Sequence, residues 1–162
     1  NPHLTMELFN RMAGIQLTHV PYKGTAPAMI ELLSGRVVLT VTSAVPVVLP
    51  HIKSGRLRVM AVTTPARVAA MPDVPTVAEA GVPGYEAVHW SGLLAPAGTP
   101  ADIVARLHKE FVAILHLNDV KEKLLADNAS VAGTAPAEFA AFLKSETVKW
   151  GKVAQSVGII PE

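Results

Sequence analysis

Short runs of β-branched residues alternate with helix-forming segments along this whole chain, and that alternation restricts the fold more than any single residue does. Strands that alternate with helices imply an α/β fold with a mostly parallel sheet, helices on both faces, and ligands seated beyond the carboxyl ends of the strands. The strand-like runs are Gln16 to Val20, Val37 to Val41, Leu57 to Thr63 and Ala87 to Ala95. Val37 to Val41 shows little alternation, as expected for a strand buried on both faces.

Helices are expected between them. Leu4, Leu8, Met12 and Ile15 recur at helical spacing, and Gly14 stands where a left-handed cap would end the helix. Pro21 to Thr25 form a turn into a second helix with Pro27 in its first turn, ending near Ser34-Gly35. A third runs from Ala44 to Lys53 and stops at Gly55, with Pro46 and Pro50 inside it. The Pro-rich stretch from Pro65 to Pro83 carries a short helical piece at Thr76 to Ala80 and is the candidate crossover between lobes. Thr99-Pro100-Ala101-Asp102 supplies a cap, a first-turn proline and an acid near the helix dipole, so a long helix is expected there. Asn118-Asp119 can cap a shorter helix to about Asp127, and Thr134 and Pro136 introduce a last helix ending at Gly158.

Composition excludes several classes. Half of the 162 residues are apolar and 17% are charged, so the chain is globular rather than disordered. A net charge of +1 with scattered basic residues gives no footprint for nucleic acid. The longest uncharged stretch, Val37 to His51, is shorter than the roughly 20 apolar residues of a membrane span. With no cysteine there is neither a disulfide framework nor a thiolate nucleophile.

No catalytic motif emerges. The six histidines, at 3, 19, 51, 89, 108 and 116, are scattered, so no metal site is expected. There is no nucleophile elbow, phosphate loop or dinucleotide fingerprint, and the acids Glu7, Glu31, Asp73 and Glu79 lie in different segments. No cofactor and no enzyme activity are expected. Two loops can instead hold an anion. Tyr22-Lys23-Gly24-Thr25-Ala26 opens a helix, so its backbone N–H groups, the Thr25 hydroxyl and the helix dipole can face a carboxylate. Thr42-Ser43 stands in the equivalent place before the next helix. Each loop is also ordinary turn-and-cap architecture, and Trp90 is either a wall of a binding site or a core residue of its strand.

Longer motifs identify a family. His19-Val20-Pro21-Tyr22-Lys23-Gly24, Ala26-Pro27-Ala28 and the stretch Leu49 to Arg58 resemble Bug-type extracytoplasmic solute receptors, the substrate-binding proteins of tripartite tricarboxylate transporters. The likeness continues through Ala61-Val62-Thr63, Pro72 to Gly81, Pro83 to Glu86, Leu94 to Pro100, Glu138-Phe139 and Lys149-Trp150.

The resemblance implies a periplasmic-binding-protein-like fold of type II, in which two lobes close on a small carboxylic acid by hinge motion. It implies that this chain lacks most of the first lobe: residues 1–90 form the second, ligand-binding lobe, with hinge strands near 57–63 and 87–95. Residues 91–162 then form the hinge return and helices that pack on the first lobe. Carried onto this sequence, the family's carboxylate-holding positions are Gly24, Thr25, Ala26, Thr42 and Ser43. Asn1 and His3 resemble the end of another ligand-facing motif at a helix N-terminus. Many relatives carry an acid near the strand Val37 to Thr42; its absence here favours a ligand that is only an acid. The implied location is periplasmic and the implied partners are membrane transporter subunits. Two other readings stand beside this one: the effector-binding domain of a transcription regulator, and a truncated chain that self-associates as a homo-oligomer through exposed apolar faces.

Overall fold

The computed structural model describes residues 2–159. Six helices occupy them: α1 (Pro2–Ala13), α2 (Thr25–Leu33), α3 (Val45–Lys53), α4 (Ala101–Leu115), α5 (Asn118–Ala126) and α6 (Pro136–Ser156). The chain divides into two units, Asn1–His89 and Trp90–Glu162.

Except in α4, helix ends fall where the sequence places a residue able to adopt a left-handed turn. After α2, Gly35 at φ 77° lets its own N–H reach the Leu32 carbonyl at 3.1 Å and lets the Arg36 N–H reach Glu31 at 3.0 Å. This doubled closure satisfies carbonyls that would otherwise lack partners. Gly55 repeats it after α3, with Gly55 N–H on Ile52 and Arg56 N–H on His51. Helix α5 closes the same way on Asn128, which stands at φ 57°, a conformation asparagine tolerates better than most side chains.

Helix starts follow the expectation less closely. Thr99 does not cap α4: its hydroxyl donates to the Pro96 carbonyl at 2.8 Å, and Pro100 takes the cap position without a side-chain bond. Asn118 lies inside the first turn of α5, with Leu117 as the cap. The strongest cap belongs to a single turn instead. Thr76 Oγ1 accepts from the Glu79 N–H at 3.1 Å while Glu79 Oε2 accepts from the Thr76 N–H at 2.8 Å. That reciprocal pair is a capping box, and it holds Thr76 to Ala80, expected as a short helical piece, as a hydrogen-bonded turn that does not extend into a helix.

The four runs of strand composition carry no strand ladder among the described residues; one parallel bridge joins Val62 to Thr76. A helix completes its hydrogen bonds within itself, whereas a strand depends on a neighbour at the right distance. Here the runs keep strand-forming side chains without that neighbour, and apolar groups remain open: Val38 is 87% exposed and Leu94 77%.

The first unit has the better-formed core. Tyr85 is 2% exposed, donates its hydroxyl to the Thr5 carbonyl at 3.0 Å and meets Phe9 edge-on, so the chain just after the Pro-rich stretch is fastened to α1. Burial pushes the Tyr85 phenol up to about 12, which keeps it a neutral donor at ordinary pH. In the second unit α4 packs on α5 and α6, and Trp90 meets Phe139 and Phe142 edge-on. Trp90 is 38% exposed, so it is not a core residue of a buried strand.

Candidate functional site

Both loops singled out in the sequence sit at helix N-termini of the first unit, and α2 packs on α3. Gly24 is the cap residue of α2, at φ 111° and ψ 176°, a conformation essentially restricted to glycine. Thr25 and Ala26 are the first two helical residues, and Pro27, third in the helix, has no N–H to offer. No side chain caps this terminus. The N–H groups of Thr25 and Ala26 have no partner among the described residues, and Thr25 is half-buried beside them. Two amides at the positive end of a helix, with a hydroxyl adjacent, form a donor set for a carboxylate.

The start of α3 is arranged differently. Ala44, at φ −80° and ψ 61°, is the centre of a tight three-residue turn in which the Val45 N–H donates to the Ser43 carbonyl at 2.9 Å. The Ala44 N–H donates to Thr42 Oγ1 at 3.0 Å, the Val47 N–H donates to the Ala44 carbonyl at 3.1 Å, and Pro46 has no N–H. Every backbone donor from Ala44 to Val47 is therefore occupied or absent. Among the groups left for a ligand are the hydroxyl protons of Thr42, which is half-buried, and of Ser43, which is exposed, and the Ser43 N–H, which has no partner among the described residues.

Asn1 lies outside the described residues. His3, in the first turn of α1, stacks on His19 with ring centroids 3.8 Å apart and planes 10° apart, and its Nε2 lies 3.4 Å from Glu7 Oε1. Asn10 makes this meeting possible. Its side-chain amide donates to the Leu17 carbonyl at 3.4 Å, its Oδ1 accepts from the Leu17 N–H at 3.3 Å, and its own carbonyl accepts from the Ile15 N–H at 3.0 Å. The chain leaving α1 is thus folded back, and His19 arrives over His3 just before the Tyr22–Ala26 loop. The stacked rings lie face to face instead of converging, and no group of three or more metal-ligating side chains occurs among the described residues.

His19, Asn10 and Tyr85 were not marked by residue type alone. The four-residue spacing of His3 and Glu7 is a local signal for their pair. The stack with His19 has no such signal, because it depends on the buried Asn10.

Comparisons place this geometry among known proteins. The profile of the family described as tripartite tricarboxylate transporter family receptor matches residues 1–159. The chain is 35% identical to the protein BugT of Bordetella pertussis over 156 residues, 96% of this chain and 48% of that one. It superposes with a TM-score of 0.80 on an R. palustris protein solved with adipate, at 40% identity, over 99% of this chain and 54% of the other. A second Rhodopseudomonas palustris protein, MatC with bound malate, gives a TM-score of 0.74 at 32% identity, over 94% of this chain and 52% of the other. The chain spans about half the length of the curated relatives it matches.

Proposed function

The chain belongs to the tripartite tricarboxylate transporter receptor family, and on that premise we propose that it forms about half of a periplasmic receptor that holds a small carboxylic acid and delivers it to membrane transporter subunits. Its fold is the periplasmic-binding-protein fold of its structural neighbours. The observation that carries the ligand class is the pair of solved neighbours bearing dicarboxylates, adipate in one and malate in the other. The reading is of a binder and not a catalyst: the loops at α2 and α3 offer hydrogen-bond donors, with no nucleophile and base placed together.

In this reading residues 1–90 are the lobe that grips the ligand. The carboxylate is received by the Thr25 and Ala26 amides, with Gly24 setting their direction, and by the hydroxyls of Thr42 and Ser43. His3 borders the same lobe through α1. No helix among the described residues is long and apolar enough to cross a membrane.

A thermal-shift series tests this. A ligand that binds the native state at a hundred times its dissociation constant adds about 2.7 kcal/mol of stability. Four- to six-carbon dicarboxylates, malate and adipate among them, are expected to raise the melting temperature, and adipamide, of equal length without charge, is expected to leave it unchanged. Equal shifts from adipate and adipamide, or no shift from any of the acids, overturn the reading.

A further inference from the structure

The run Gln16 to Val20 leads from α1 toward the donor loop of α2 with no strand ladder to hold it, and residues 18–23 make no backbone hydrogen bond among the described residues. Side chains set its course instead. Asn10, the one buried residue of α1, donates from Nδ2 to the Leu17 carbonyl at 3.4 Å and accepts the Leu17 N–H on Oδ1 at 3.3 Å. One carboxamide thus engages both backbone groups of a single residue, as the facing residue of an antiparallel strand would. Two residues further on, His19 is stacked on His3.

The carboxamide is itself held in one orientation. Glu7 Oε2 accepts from Asn10 Nδ2 at 3.5 Å, while Glu7 Oε1 lies 3.4 Å from His3 Nε2. An ionised carboxylate only accepts, so a reversed amide would set oxygen against oxygen both at Glu7 and at the Leu17 carbonyl. One carboxylate therefore steadies the two side chains on which the returning chain rests. Asn10 is 8% exposed, so a bond lost there is not simply handed to water.

We propose that Asn10 is the positioning residue of the α2 donor set: by clamping Leu17 it brings the chain to Gly24 on the course that leaves the Thr25 and Ala26 amides open to a ligand. The physical reason is a short and stiff tether. Only residues 18–23 lie between Leu17 and Gly24, and three of them have little freedom. His19 is held by its stack, Pro21 has a fixed φ, and Val20 is restricted by the proline that follows it. A change in the direction of Leu17 is therefore carried to the loop instead of being absorbed before it. The effect on a ligand rests on the carboxylate reading of α2; the placement of the amides does not.

Amide NMR on the ligand-free full chain, paired with calorimetry using adipate and malate, tests it. Asn10→Leu keeps the size of the side chain and loses both bonds to Leu17. The Leu17, Thr25 and Ala26 amide signals are expected to move together, and affinity for the acids to fall roughly tenfold, the lower end for losing one hydrogen bond to a charged group. Tyr85→Phe is the control: it loses the hydroxyl bond to Thr5 in the same unit, so it is expected to lower stability while the Thr25 and Ala26 signals and the affinity stay as in wild type. If Asn10→Leu does not fold, Asn10→Asp decides. It keeps the shape and the bond from the Leu17 N–H but sets an oxygen against the Leu17 carbonyl, so the same signals are expected to move. Unmoved Thr25 and Ala26 signals in the folded Asn10 variant overturn the assignment, and so does a folded Asn10→Leu chain that binds the acids as tightly as wild type. A wild-type chain that binds neither acid overturns the carboxylate reading alone, and the amide signals then decide the role of Asn10.

Discussion

At the start of α2 the amides of Thr25 and Ala26 are free among the described residues, while at the start of α3 the backbone donors from Ala44 to Val47 are engaged by the chain itself or replaced by proline. The two termini look alike in sequence: a hydroxyl residue, small neighbours and a proline within the first turn. The difference comes from the backbone of one residue at each. Gly24, at φ 111° and ψ 176°, swings the chain away and leaves the first amides open. Ala44, at φ −80° and ψ 61°, curls the chain back so that Ser43 and Thr42 take them. A helix N-terminus is therefore a donor site only where the incoming chain does not use it first. In the proposed receptor, α2 grips by backbone and α3 by side-chain hydroxyls.

The largest effect should come from removing one α2 amide without disturbing the helix. Proline is well suited to the first helical position, so Thr25→Pro deletes the N–H and leaves α2 intact. Hydrogen bonds to charged groups are worth about 1.5–3 kcal/mol, so dicarboxylate affinity by calorimetry should fall roughly 10- to 150-fold. Thr25→Ala, which keeps the amide and loses the hydroxyl, separates the two contributions and should cost roughly fivefold, near the about 1 kcal/mol of an ordinary hydrogen bond. If proline and alanine weaken binding equally, the amide is not used and the contrast between the termini collapses.

Gly24→Ala probes the cause of the contrast. A Cβ at Gly24 meets nothing within 4 Å, so any cost is conformational. Holding a side-chain-bearing residue in that region costs about 1–3 kcal/mol, and a chain of this size should lose on the order of 5 °C in melting temperature. The matched change on the other side, Ala44→Gly, starts from an ordinary backbone conformation and should shift melting far less. Equal losses at the two positions would show that neither backbone conformation is special.

Helices and their ends were legible in the sequence because their signals are local: periodic apolar residues, and Gly35 and Gly55 at the stops. The capping box of Thr76 and Glu79 is legible for the same reason, three residues apart. Strand composition was equally plain at Val37 to Val41, but a ladder is a property of two segments, and composition reports on one. Thr99 misleads because its hydroxyl has two acceptable uses, and the Pro96 carbonyl wins over the helix. The candidate loops were located correctly as helix starts, yet their inequality was not visible: no sequence rule states that Ala44 will adopt a tight turn and occupy its own amides. His19 over His3, and both tryptophans on Glu146, depend on folding back through Asn10 and on docking of α6, which lie beyond the reach of spacing.

The side-chain half of the contrast is tested at Thr42 and Ser43, where effects should be smaller. Thr42 Oγ1 accepts from the Ala44 N–H, so Thr42→Val leaves that amide without a partner and should cost about 0.5–1.5 kcal/mol in denaturant unfolding, with Thr42→Ser restoring it. Thr42→Val alone cannot say whether the hydroxyl also faces a ligand, because it removes acceptor and donor together. Ser43→Ala can. No hydrogen bond of the described chain uses the Ser43 hydroxyl, and the residue is exposed, so its loss should leave stability within about 0.5 kcal/mol. If α3 grips through hydroxyls, the same variant should weaken dicarboxylate binding roughly fivefold, the size of one neutral hydrogen bond. Unchanged affinity in Ser43→Ala, together with a Thr42→Ser variant that binds as wild type, would confine the α3 contribution to Thr42. Unchanged affinity in Ser43→Ala and in a folded Thr42→Val would leave α2 as the only terminus that binds, and the division of labour between backbone and hydroxyl would be gone.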